Sequence, residues 1–247
     1  MILNSPNNIL AIEYLKAIKK NNLDIKPVLV KRIGDNYNDA CITSDTYASA
    51  TAIRNALYCN QAVGHYLPEN SIIELSKDTA YITPDDLNIY LEHELSNIFY
   101  CSKYDKNTII SALTGFLDIN ADIAARIYNA FYSSNCRLES FTEFANSVKP
   151  KQYTLSRIKR CLLGIILNIT SVNTTPEYIR ILGFNQKGQQ YLSQVKKGID
   201  IPIINKAADH KSLLNDEIHA TALYNQLQRL HNYNYNLNEL THGIIRV

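Results

Sequence analysis

The sequence predicts an α/β segment followed by a mainly α-helical region that carries a small strand-helix-strand element. Three observations lead there. Residues 1–60 run helix, strand, loop, helix, the order of an α/β domain. From about Gly64 onward, apolar residues recur at helical spacing in one stretch after another. Further on, Tyr178-Ile179-Arg180-Ile181-Leu182-Gly183-Phe184 reads as a strand that passes through an Asn-Gln-Lys-Gly turn into a helix.

Each element has its own signal. Asn8 to Lys20 is a helix with Ile9, Ile12, Leu15 and Ile18 as its apolar stripe, an Asn cap ahead of it and lysines in its last turn. Pro27 opens Val28-Leu29-Val30, a continuous apolar run suited to a buried strand, which ends in Lys31-Arg32-Ile33-Gly34. Asp35 to Tyr47 is polar and loop-like, and Ser49 or Thr51 caps a helix from Ala52 to Tyr58. Thr83-Pro84-Asp85-Asp86 combines a cap, a proline at the first position and two acids at the positive helix end. Leu87, Leu91, Leu95 and Ile98 form the stripe behind it. Ile123, Ile127 and Phe131 mark another helix, and Ser140 with Glu143 forms a capping box for a short one. Ser156 to Ile169 follows Tyr153-Thr154 and buries Ile158, Leu162, Ile165 and Ile166. A helix through Lys197, a second strand at Ile201 to Ile204 and a helix from Lys211 to Leu230 complete the reading. The expected boundary lies between Cys59 and Ser71, dividing the chain into 1–64 and 65–247.

A chain of 247 residues with 46% hydrophobic content can bury a substantial core. No apolar run approaches a membrane span, and Met1-Ile2-Leu3-Asn4-Ser5-Pro6 lacks the basic and apolar regions of a signal peptide. Cysteines at 41, 59, 101, 136 and 161 are odd in number and widely spaced, so reduced thiols in the cytoplasm are expected and no residue is assigned to a metal. Twenty-five basic against 23 acidic residues gives no global argument for nucleic acid; any such argument rests on a local patch. The Asn232-Tyr233-Asn234-Tyr235-Asn236 run is read as compositional bias and not as a base-stacking platform.

Two regions could carry chemistry. Ser49-Ala50-Thr51-Ala52-Ile53-Arg54 offers hydroxyls, a helix start and an arginine one turn in, all able to meet one phosphate, although a hydroxyl before a helix is ordinary capping. Lys31-Arg32 closes a strand, where open α/β sheets bind ligands, and Asn7 could offer an amide to a base edge or ribose. Further along, Lys149, Lys151, Arg157, Lys159 and Arg160 form a basic segment with no acid in it, Arg157 and Arg160 sharing a helix face. That face is either a solvated surface or a set of phosphate contacts.

Taken in order, Ser5-Pro6-Asn7-Asn8-Ile9-Leu10-Ala11, Lys31-Arg32-Ile33-Gly34, Ser49-Ala50-Thr51-Ala52-Ile53-Arg54, Lys151-Gln152-Tyr153-Thr154 and Tyr178-Ile179-Arg180-Ile181-Leu182-Gly183-Phe184-Asn185 resemble the bacterial tRNA(Met) cytidine acetate ligases. The resemblance covers most of the chain and weakens between about Gly64 and Asp118 and after His210. It implies a partial Rossmann-like nucleotidyltransferase domain and an enzyme that activates acetate with ATP, with or without magnesium, as acetyl-adenylate. The acetyl group would pass to the wobble cytidine of elongator tRNA(Met). It further implies ATP contacts at Asn7, Arg32 and Ile33, phosphate contacts at Ser49, Thr51 and Arg54, and tRNA backbone contacts at Lys149, Lys151, Arg157, Lys159 and Arg160. Members of that family open with a strand, loop and helix bearing a His-x-Gly-His-type motif. No such motif occurs in these 247 residues: His65 follows Gly64 but comes after the second phosphate signature. The chain is therefore expected to lack an N-terminal portion and to be incomplete as a catalyst. Another adenylyl-transferring enzyme and a catalytically dead tRNA-binding module are the competing readings.

Overall fold

Ten α-helices and four two-residue strands make up the regular structure of the described residues, which in this computed structural model are 6–30, 33–34, 39–76, 81–172, 175–231 and 238–246. The chain forms two compact units, Met1–Tyr81 and Ile82–Val247.

The first unit opens with α1 (Pro6–Lys20), which ends in Lys19 and Lys20. The helix starts two residues before the expected Asn8, because proline suits the first helical position, where no N–H is needed. Asn7 and Asn8 thus lie in the first turn and not ahead of it. The chain leaves the helix through Asn22 at φ 49°. Residues 23–30 then run on without strand pairing. The expected buried strand is not formed: Val28, Leu29 and Val30 are 80%, 83% and 90% exposed. A strand exists only through a neighbour's ladder, and all four strands of the described residues belong to the second unit. α2 (Ala50–Tyr58) follows, then a 3₁₀ turn at Gly64–Tyr66 and α3 (Glu69–Leu75).

The second unit is a helical bundle. A 3₁₀ turn at Pro84–Leu87, closed by a reciprocal Thr83–Asp86 capping box, leads into α4 (Asn88–Cys101). Next come α5 (Lys106–Thr114), to which no apolar stripe drew attention in the sequence, and α6 (Ala121–Ser133). α7 (Phe141–Val148) and α8 (Leu155–Ile166) complete the bundle. Their caps are Asp105, Asn120, Ser140 and Thr154, each accepting a backbone N–H three residues on. One apolar cluster joins the bundle, with Leu95 and Phe99 from α4, Ile109 from α5, Phe131 from α6, Phe144 from α7 and Leu162 from α8 among its members.

The expected strand at 178–184 is broken in two. β1 (Ile179–Arg180) pairs in parallel with β3 (Ile203–Ile204), and β2 (Gly183–Phe184) pairs in parallel with β4 (Ile245–Arg246). The change of partner falls at Ile181, whose N–H reaches the Ile204 carbonyl at 3.0 Å, and Leu182, whose carbonyl accepts from Ile245 at 3.1 Å. α9 (Gln186–Val195), capped by Asn185, connects β2 to β3, so the strand-helix-strand element is present in abbreviated form. α10 (Asn215–Leu230) runs to His231, whose Nε2 lies 2.7 Å from Asp86 Oδ1.

Candidate functional site

In the first unit, the structure brings two of the three sequence segments together. Gly34 sits at φ 83°, and a Cβ there would lie 2.4 Å from the Tyr47 carbonyl oxygen, so only glycine allows this approach. Ile33-Gly34 is thereby held beside Tyr47, two residues ahead of the Ser49 cap of α2. Ser49 is fully buried; its Oγ accepts from the Ala52 N–H at 3.0 Å and donates to the Asp39 carbonyl at 2.6 Å. Asn55 Nδ2 donates to the Ala40 carbonyl at 2.9 Å, and the ring of His65 bonds the Asp45 carbonyl at 2.8 Å. Three hydrogen bonds thus hold residues 39–45, from Ser49 and Asn55 at α2 and from His65 in the turn beyond it, and the last accounts for His65 without catalysis.

The groups that remain for a ligand are specific. Thr51 is half-buried and Arg54 exposed, with Arg54 Nη2 3.4 Å from Thr51 Oγ1. Both stand in the first turns of α2, where free N–H groups and the helix dipole favour an anion. Ile33 is exposed. Asn7 is half-buried in the first turn of α1, and no hydrogen bond to a described residue ties it to this cluster. Arg32, like Lys31 and Ser5, lies outside the described residues, as does the 232–236 run. Among the described residues, no three His, Cys, Asp or Glu side chains gather as a metal site.

In the second unit, the basic segment differs from its one-dimensional appearance. It contains no acid, yet the fold sets Asp118 against it. Arg160 grips Asp118 Oδ2 through Nε at 2.9 Å and Nη2 at 2.6 Å. Arg157 lies with its guanidinium carbon 4.4 Å from the centre of the Tyr153 ring and donates to the Asp118 carbonyl at 3.4 Å. Tyr153 is fixed in turn by Asn120, the α6 cap, at 2.8 Å. Lys159 stands on another side of α8, near Asp85. Burial pushes the Asp85 carboxyl up, but the Thr142 N–H, the Ser140 hydroxyl and the Lys159 charge outweigh it and hold the group below its ordinary value. Lys149 reaches the Pro150 carbonyl at 3.5 Å, while Lys151 is exposed and makes no ion pair among the described residues.

Sequence reasoning missed Asp118, which is 42 residues from Arg160 and carries no local signal. It also missed Tyr153, although its four-residue spacing from Arg157 across the helix start was a usable one. A further cleft of about 720 Å³ opens between α6 and α7, lined by Arg126, Asn129, Arg137, Ser140 and Glu143 among others. Its charges are of both signs.

The family model described as HIGH Nucleotidyl Transferase matches residues 1–239. The chain belongs to the HIGH nucleotidyl transferase family. Two curated relatives are both called tRNA(Met) cytidine acetate ligase. That of Clostridium perfringens strain ATCC 13124 is 34% identical over 235 residues, covering 92% of this chain and 54% of its own. That of Listeria welshimeri is 37% identical over 233 residues, covering 92% and 55%. The chain thus spans about half the length of the curated relatives it matches. Among solved structures, apo Thermotoga maritima TmcAL superposes with a TM-score of 0.78 at 22% identity, over 99% of this chain and 61% of that one. The same protein bound with alpha-thio ATP gives 0.74, over 99% and 60%. At that identity the likeness shows the fold, and the fold of the HIGH family member here is helix-rich with a few short strands.

Proposed function

We propose that this chain works as part of an ATP-dependent tRNA(Met) cytidine acetate ligase of the HIGH nucleotidyl transferase family. ATP and acetate would give acetyl-adenylate and pyrophosphate. The exocyclic amine of the wobble cytidine in elongator tRNA(Met) would then take the acetyl group, leaving N4-acetylcytidine and AMP. The observation that carries this reading is a pair of relatives of that name, 34% and 37% identical across 92% of the chain.

The proposed division of labour follows the two units. In the first, Asn7, Arg32 and Ile33 contact the nucleotide, while Thr51 and Arg54 face the β- and γ-phosphates from the start of α2, with magnesium, if used, on the phosphates. Ser49 contributes through the helix start that it caps, since both functions of its hydroxyl are engaged within the protein. In the second, Lys149, Lys151, Arg157, Lys159 and Arg160 meet the tRNA backbone, Arg160 by exchanging or sharing its Asp118 partner. A tRNA substrate would place this work in the cytoplasm.

No His-x-Gly-His quartet stands in these 247 residues to stabilise charge on the α-phosphate, and that electrostatic contribution is usually the largest in such catalysis. The 247 residues by themselves should therefore bind ATP and tRNA without acetate-dependent pyrophosphate release. The test measures both bindings by calorimetry and pyrophosphate by a coupled assay. Binding of neither ligand overturns the ligase reading, and robust turnover overturns the assignment of the missing group.

A further inference from the structure

A ladder of aromatic rings leads from the core of the second unit to its surface. Phe99 of α4 is buried, and Tyr128 of α6 stacks on it with ring centres 5.5 Å apart and planes 12° from parallel. Tyr132, one turn further along α6, stacks on Tyr128 at 5.6 Å and 13°. The other two rings against Phe99, those of Phe131 and Tyr104, meet it edge-on at 77°. The parallel run therefore has one direction, and it ends at Tyr132, which is 60% exposed and carries no further ring of the described residues. Cations flank it. Lys106 Nζ stands 5.4 Å from the centre of the Tyr128 ring, and Lys103 is exposed on the same α4–α5 turn. Neither makes an ion pair among the described residues. Asp105, between them in sequence, is engaged by the Thr108 N–H and hydroxyl at 2.8 and 2.7 Å. Three residues before Tyr132, Asn129 is exposed and lines the cleft between α6 and α7, where its amide can meet the edge of a base.

We propose that Tyr132 is a stacking platform for an unpaired RNA base, with Lys103 and Lys106 on the phosphates beside it. Three features select RNA over a protein partner. A base is a flat ring that continues the parallel planes of the ladder. The phosphates of its strand match two lysines that have no carboxylate of their own. Around Tyr132, moreover, Asn129 and Ser133 on α6 and Asn135 just past it are exposed and polar, whereas a protein interface centres on a desolvated apolar patch. The platform lies about 18 Å along α6 from its Asn120 cap, which holds Tyr153 beside Arg157. One RNA can thus meet the basic face of α8 and the platform together. The inference rests on the tRNA part of the reading above and deepens it: α8 meets backbone, while Tyr132 takes hold of a base that is free to leave its helix.

The chain contains no tryptophan, so Tyr132→Trp places a single indole at the platform. Titrating the full chain carrying it with a short oligouridylate, whose bases are unpaired, should quench the indole emission in step with binding. Tyr132→Ala should weaken oligouridylate binding about 5- to 100-fold and leave the log–log salt slope unchanged, while Tyr132→Phe keeps the parent affinity. Lys103→Gln should instead flatten that slope by about 0.7. The site is exposed, and an unchanged thermal midpoint certifies the fold of each variant. Absence of oligouridylate binding overturns the proposal, as does binding without quenching, an unchanged affinity in Tyr132→Ala or an unchanged slope in Lys103→Gln. Concentration-dependent burial of the indole in the chain alone also overturns it, in favour of a second copy on this face. No ATP, acetate or tRNA(Met) enters these measurements, so their outcome is separate from that of the ligase reading.

Discussion

Asp118 turns the backbone through φ 65° and presents its carboxylate to Arg160 and its carbonyl to Arg157. Asparagine tolerates that left-handed conformation at least as well as aspartate, so Asp118→Asn removes a charge and keeps the turn. If α8 contacts tRNA phosphates, the substitution releases Arg160 from competition. The log–log salt dependence of tRNA affinity should then steepen by about 0.7–0.9 for one more phosphate neutralised. Filter binding across a salt series measures it, and an unchanged slope would take Arg160 off the RNA path. Asp85 offers a second single-residue test, through acid. Its carboxyl is held below the ordinary 3.8 although burial works the other way, because the Thr142 N–H at 2.8 Å and the Ser140 hydroxyl at 2.9 Å favour the charged form. A depressed folded value means the stabilisation is complete above the unfolded value and fades as pH falls through the folded one. The stability gap between the parent and Asp85→Asn should stay level from about pH 7 to pH 5 and narrow below about pH 4. A gap that widens in acid would contradict the assignment.

Helices in this chain are set by short-range chemistry, and their caps show how local that chemistry is. Thr154 accepts the Arg157 N–H at 3.3 Å on an exposed helix start, whereas Ser49 is buried and bonds in two directions. Thr154→Ala should therefore cost about 1 kcal/mol in unfolding of the second unit. Ser49→Ala should instead leave that transition in place and speed amide exchange through Ala52–Tyr58, because it releases both the helix start and the Asp39 carbonyl. Equal effects of the two variants on the main transition would show that the units share one stability. The same locality explains what the sequence disclosed. Ser49, Thr83 and Ser140 could be recognised as caps because the partner N–H lies three residues away. The basic character of 149–160 was equally visible, but its pairing with Asp118 was not, since nothing nearby in sequence announces a contact formed by folding. Val28–Val30 has a strand's composition, yet a strand is a property of two segments and the second is not among the described residues. The 178–184 run misled for a related reason: it serves two partners, Ile203–Ile204 and Ile245–Arg246, and so splits.

At the scale of the whole molecule, cohesion is distributed very unevenly. Among the described residues of the first unit, the buried hydrophobics are Ala52, Ala56 and Val63. Phe99, Phe131, Leu91, Leu95 and Ile127 are fully buried in the second. Ordering one residue costs about 1–2 kcal/mol, while full burial of a large apolar side chain returns about 1.5–3 kcal/mol. Two alanines and a valine offer little against the ordering of the first unit's described residues, whereas the continuous cluster across α4–α8 gives the second unit a core of its own. The cooperative thermal transition of the full chain should accordingly be that of the second unit. Deleting residues 1–81 should leave a folded protein whose midpoint differs by no more than about 4 °C, the shift expected for 1 kcal/mol in a domain of this size. Calorimetry of the full chain and of 82–247 side by side measures this. A midpoint lower by about 10 °C or more would mean that the first unit supplies a substantial part of the stability.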